Sequence, residues 1–120
     1  DLLGWQVRTV QGRLRLTCYW RITEGLIAGC YHQFNHLRDL GSSTLIANHD
    51  VPLSSRSWQP GDTLVTWADL EVPARTRIVI AEVGMYTWPE VQRIEQRTAE
   101  GDPLAPIRLG PFDIGDLAER

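Results

Sequence analysis

Lysine is missing altogether: the 12 basic side chains of this 120-residue chain are all arginine. They are scattered among 15 acidic residues for a net charge of −3, so no positive stripe exists to neutralise a phosphate backbone, and nucleic acid is not an expected partner. Arginines that grip phosphate cluster locally. These do not, so their exclusive use reflects coding bias rather than a binding requirement. No apolar run approaches the ~18 residues needed to cross a bilayer, and no charged segment followed by an apolar one opens the chain. The first residue is Asp1 rather than Met, so the expectation is one domain, residues 1–120, belonging to a longer protein.

Motifs of the common catalytic sites are equally scarce. There is no Gly-x-Gly loop to cradle a phosphate, Gly25 and Gly29 being isolated, and no Gly-x-Ser-x-Gly elbow. Serines concentrate only in residues 54–57, without a base beside them. Two cysteines, Cys18 and Cys30, are too few for a disulfide framework and lack zinc-site spacing. On neighbouring strands of one hairpin they could meet as a cross-strand bond; the alternative is two buried thiols acting as small hydrophobes. The chain is expected to be non-enzymatic and to carry no cofactor.

What is present is period two. Leu14, Leu16, Cys18, Trp20 and Ile22 alternate with Arg13, Arg15, Thr17, Tyr19 and Arg21, the pattern of a strand with one face on a core. After a turn at Glu24 and Gly25, residues 28–37 place Cys30, His32, Phe34 and His36 on one face and Tyr31, Gln33, Asn35 and Leu37 on the other. The two runs are expected to pair as an antiparallel hairpin. Further strands are expected at 44–48, 64–72, 78–86 and 104–114. The third of these is central because of Ile78, Val79, Ile80 and Val83, with a bulge or close backbone approach at Gly84. Residues 92–102 are polar and expected to be exposed, and 90–100 alone has any helical composition. About seven short strands separated by turn signals predict an all-β fold, a two-sheet antiparallel immunoglobulin-like sandwich.

Two groups of side chains can carry recognition or chemistry. His32, His36, His49, Asp39 and Asp50 are the right types for a metal or acid–base site. On a strand, however, His32 and His36 stand roughly 13 Å apart, too far to share an ion. A site from His36, His49 and Asp50 needs strand adjacency; otherwise Asp39 and Asp50 shape turns. The second group is aromatic. Of five tryptophans, Trp58 in a polar loop and Trp88 between Thr87 and Pro89 are expected to be exposed, where an indole face can stack on a sugar ring. Trp5, Trp20 and Trp67 are expected in core or sheet-edge packing, and Trp58 can equally plug its loop onto the sheet. The candidate ligand-binding set is Trp58, Arg56, Trp88, His49 and Asp50.

Three stretches form one pattern: Leu16-Thr17-Cys18-Tyr19-Trp20-Arg21; Phe34-Asn35-His36-Leu37-Arg38-Asp39 with Gly41; and His49-Asp50-Val51-Pro52-Leu53 with Trp58-Gln59-Pro60-Gly61-Asp62. Together with Val83-Gly84-Met85-Tyr86 and Leu109-Gly110, they resemble the C-terminal soluble β-sandwich domain of multi-pass bacterial membrane proteins of the lipid-linked-sugar glycosyltransferase (mannosyltransferase-like) type. The resemblance spans residues 12–114. It implies an extracytoplasmic domain tethered to the cell membrane, with the transfer chemistry in the membrane part of the same chain and none assigned to the sandwich. A Cys18–Cys30 bond could persist in that compartment. The expected function is an accessory module holding a glycan, lipid-linked sugar or cell-envelope partner. The alternatives are a purely structural interaction or self-association domain and, third, a small metal-dependent enzyme.

Overall fold

A computed structural model describes residues 1–23, 30–53, 57–73, 78–88, 92–93, 96–97, 103–104 and 107–114; for 88, 92–93, 96–97 and 103–104 it describes the backbone alone. The strands are β1 (Leu2–Val10), β2 (Arg13–Arg21), β3 (Cys30–Asp39), β4 (Leu45–Asn48), β5 (Val51–Pro52), β6 (Thr63–Leu70), β7 (Ile78–Trp88), β8 (Gln92–Arg93), β9 (Gln96–Arg97), β10 (Pro103–Leu104) and β11 (Ile107–Asp113). They form two antiparallel layers, one ordered β1-β2-β6 and the other β11-β7-β3-β4. In addition β5 pairs with β3, β8 with β7, and β9 with β10. This is the two-sheet antiparallel β-sandwich the alternation predicts. There is no α-helix among the described residues, and the 90–100 segment contributes the two-residue strands β8 and β9.

The core lies between the layers. From the small sheet it takes Leu14, Leu16, Cys18, Trp20, Ala68 and Leu70, and from the large one Tyr31, Leu37, Val79, Ala81, Val83, Met85, Ile107 and Leu109. Strand β2 buries its predicted face. Strand β3 buries Tyr31, Gln33, Asn35 and Leu37, so two amides enter the core while His32, Phe34 and His36 stand half-buried on the outer side.

The buried amides are satisfied across the sandwich. Trp20 Nε1 donates to Gln33 Oε1 and to Thr66 Oγ1, both at 3.1 Å, and Thr66 Oγ1 donates to Gln33 Oε1 at 2.6 Å. Gln33 Nε2 donates to Asn35 Oδ1 at 2.8 Å, and Asn35 Nδ2 donates to the His49 carbonyl at 3.0 Å. Trp20 and Thr66 belong to the small sheet and Gln33 and Asn35 to the large one, so the chain of bonds ties layer to layer. Leaving any of these groups unpaired would cost its desolvation, about 1–3 kcal/mol.

Two expectations need correction. Strands β2 and β3 are not a hairpin: β2 pairs with β1 and β6, and β3 with β7, β4 and β5. Strand β2 is closed on its other side by the turn at Gln11 and Gly12, with φ of 51° and 78°, the positive pair that two-residue hairpins require. Cys18 and Cys30 therefore lie in different layers as free thiols, the first buried and the second exposed. Gly84 makes no bulge: the β3–β7 ladder runs unbroken from Cys30 and Trp88 to Asp39 and Val79, with Gly84 opposite Phe34. On the other side of β7 the register shifts within β11, between Leu109 and Phe112. The expected turn at Glu24 and Gly25 lies outside the described residues.

Candidate functional site

Because β2 points its even-numbered side chains inward, the odd ones form the outer face of the small sheet, and its two neighbours follow in register. The pairing produces three rows: Gly4, Tyr19 and Val65; Gln6, Thr17 and Trp67; Arg8, Arg15 and Asp69. Trp67 is 55% exposed and Val65 59%, so the expectation that Trp67 packs is corrected: it faces solvent in the middle of a strand. Trp20, on the adjacent strand but of opposite parity, is only 2% exposed. Trp5 sits between these extremes at 38%, its ring 6.2 Å from that of Phe112 on β11, which is the sheet-edge packing expected of it.

The third row orients the second. Arg15 Nε and Nη2 donate to Asp69 Oδ1 and Oδ2 at 2.7 and 3.0 Å, a bidentate cross-strand pair. Its guanidinium lies 4.5 Å from the centre of the Trp67 ring, a cation–π contact on one indole face. The hydrogen bond with Arg15 holds the Asp69 carboxyl below its ordinary range, and the same bond raises Arg15. Next to them, Arg8 keeps a buried Nε with no hydrogen-bond partner among the described residues. The missing side chain at Gly4 leaves the first row open, since a Cβ built there meets nothing within 4 Å.

The outer face of the large sheet is occupied differently. Tyr86 donates its hydroxyl to Asp50 Oδ2 at 2.7 Å, and its own pKa is pushed up to about 12 by burial and by that carboxylate. The His32 ring lies 5.4 Å from Tyr86, and Phe34 lies 5.1 Å from His36. Glu82, buried, is held between Arg38 Nε and Arg108 Nε, the latter at 3.4 Å from Oε2; the bond from Arg38 lowers its pKa.

The predicted ligand set is distributed over the molecule. Trp58 is half-buried with its ring edge-on to Tyr31, centroids 5.0 Å apart, so its loop folds back onto the large sheet. His49 and Asp50 are adjacent but turn to different partners: His49 Nδ1 lies 3.4 Å from the Asp69 carbonyl of β6, whereas Asp50 binds Tyr86 of β7. Arg56 and the side chain of Trp88 lie outside the described residues. Asp39 accepts from the Ser42 amide and hydroxyl, both at 2.9 Å, as the turn-shaping alternative anticipates. Among the described residues no group of three or more His, Cys, Asp or Glu side chains is placed to hold a metal ion.

Sequence reasoning missed Trp67, Arg15 and Asp69 as one unit. Parity places Trp67 outside once Thr66, Ala68 and Leu70 claim the inner face of β6. The Arg15–Asp69 pair needs the β2–β6 register, which joins residues far apart in the chain. What this surface offers chemically is a flat aromatic face fixed by an ion pair, suited to stacking and hydrogen bonding. No family model, curated protein or solved structure matches the chain.

Proposed function

We propose that this chain is a non-catalytic accessory module that binds a glycan through the outer face of its three-stranded sheet. One observation carries the reading: Trp67 is more than half exposed in the middle of a regular strand, with the Arg15 guanidinium 4.5 Å from its ring centre. An exposed indole costs solvation free energy unless something covers it in use, and its apolar face suits the C–H face of a sugar ring. Arg15 and Asp69, already ordered by each other, supply polar groups beside it. The motif likeness set out above supports an extracytoplasmic setting, tethered beside a membrane glycosyltransferase of the same chain, where a lipid-linked sugar or another envelope glycan would be the ligand.

The test is a fluorescence titration of the folded chain with a panel of neutral and acidic oligosaccharides. A saturable change in tryptophan emission that disappears in Trp67→Ala and persists in Trp20→Phe is the expected result. Loss of the response in Trp58→Ala but not in Trp67→Ala would move the ligand to the loop before β6. Failure of every glycan to bind would overturn the reading.

A further inference from the structure

Edge strands leave a row of backbone N–H and C=O groups unpaired, and natural sheets protect them by shortness, proline, bulges, charge or cover. Among the described residues the two layers have four edges, and three are protected. Strand β1 carries an irregularity between Leu2 and Gly4 and has Trp5 packed against Phe112. Strand β11 contains Pro111 and loses register between Leu109 and Phe112. Strand β4 has four residues and a register shift against β3.

The fourth edge, β6, is the least protected, its one charged side chain, Asp69, being already paired with Arg15 of β2. Its eight residues stay in unbroken register with β2, contain no proline or lysine, and include Val65, Thr66 and Trp67, types that favour extended pairing. Its hydrogen-bonding parity is fixed by two neighbouring bonds. The Arg21 amide bonds Asp1 on the β1 side, and the Ile22 amide bonds Asp62 on the β6 side. Alternation then turns the even residues of β6 toward β2 and leaves the N–H and C=O groups of Thr63, Val65, Trp67 and Asp69 pointing away from the sheet. No strand accepts them among the described residues; His49 Nδ1, 3.4 Å from the Asp69 carbonyl, closes only one end.

We infer that two copies of this chain associate edge to edge through β6, antiparallel, about a twofold axis at Thr66. That register brings Val65 opposite the partner copy's Trp67 and Trp67 opposite its Val65. Both residues point their backbone groups outward, so the central pairs exchange four hydrogen bonds. On the outer face each such pair is an aromatic beside a β-branched side chain, a favourable cross-strand combination. Thr63 falls opposite Asp69, so no like charges meet, and Asp69 is already neutralised by Arg15. The occupant is a second copy: in this register the segment's own residues form an aromatic–β-branched pair on both sides of the axis and oppose no like charges. The product is a continuous six-stranded sheet. This inference does not rest on glycan binding.

Sedimentation equilibrium of the chain between about 10 µM and about 1 mM, with amide hydrogen exchange at both ends of that range, tests it. A monomer–dimer equilibrium is expected, with the Val65 and Trp67 amides protected only at high concentration. Val65→Pro removes an outward N–H that the β2 ladder does not use. Val65→Lys places charge at the centre and serves if the proline variant does not fold. Each is expected to weaken association roughly tenfold or more, whereas Leu3→Lys on β1 leaves it unchanged. Because Val65→Lys leaves Trp67 in place, loss of the dimer is distinguishable from loss of glycan binding. A chain monomeric throughout, a dimer indifferent to both Val65 variants, or protection that appears elsewhere while these two amides stay open would overturn the inference.

Discussion

Strands β2 and β3 face each other across the core, yet they solve burial in opposite ways. β2 sends Leu14, Leu16, Cys18 and Trp20 inward and keeps its arginines out; β3 sends in Tyr31, Gln33, Asn35 and Leu37 and leaves His32, Phe34 and His36 half-covered outside. The apolar strand has a strong hydrophobic preference for one face. The mixed strand is oriented by partners: Gln33 and Asn35 can be buried because Trp20, Thr66 and the His49 carbonyl complete their hydrogen bonds. Facing in this fold is therefore decided by apolar area where one face is clearly apolar, and by polar satisfaction where neither is.

If that contrast is right, removing an inward amide of β3 should cost far more than removing an outward ring beside it. Gln33→Ala, which opens a void, removes the acceptor of the Thr66 hydroxyl and the donor to Asn35 Oδ1, and leaves Trp20 Nε1 with Thr66 Oγ1 alone, is expected to lower stability by about 3 kcal/mol in urea denaturation. His32→Ala is expected to lower it by under about 1 kcal/mol. Equal losses would break the comparison.

The cysteines sharpen it next. Cys18 on β2 is buried and its thiol is pushed up to about 12 by desolvation, which a hydrogen bond with Gln33 only partly offsets; Cys30 on β3 is exposed. A disulfide reagent should modify Cys30 in the native state roughly a hundredfold or more faster than Cys18, which should react only on unfolding. Comparable native rates would contradict the assigned facing.

Acid stability compares the two outer faces. Arg38 holds Glu82 below its ordinary pKa, and Arg15 does the same for Asp69. Both folded-state values are depressed, so their stabilisation is complete above the unfolded values, about 4. It is lost as pH falls through the folded ones. Thermal stability is expected to be flat from neutral pH to about 5 and to decline below about 4. Glu82→Gln should make that decline shallower and cost about 1–2 kcal/mol at neutral pH, since Arg38 and Arg108 lose their shared carboxylate. An unchanged acid slope in the variant would remove Glu82 from the account.

The smallest effect belongs to Trp67. Its replacement by Ala forfeits an exposed contact with Arg15 and should alter stability by less than about 1 kcal/mol. A larger loss would mean that the indole supports the fold rather than presenting a surface.

Parity within β2 was legible from residues alone. Leu14 through Ile22 place their inner face correctly, because one side of that run is plainly less polar; in β6 the outer side carries Val65 and Trp67, so apolar content alone did not set its facing. Pairing between strands was not. Consecutive strands neighbour each other often enough to suggest a β2–β3 hairpin, but Gln11 and Gly12 close β2 onto β1, whose own alternation is disturbed at Leu2 and Gly4. The same limit hid the candidate site. Arg15, Trp67 and Asp69 become one surface only through the β2–β6 ladder, and Trp58 looks exposed in a polar loop until Tyr31 is placed beside it.

A double-mutant cycle between Trp20 and Gln33 probes the layer-to-layer bond most directly, because these side chains meet only if β2 and β3 belong to opposing sheets. With Trp20→Phe and Gln33→Met measured singly and together, a coupling of about 1–2 kcal/mol is the expected result. Additive losses, with no coupling, would contradict the facing of the two strands.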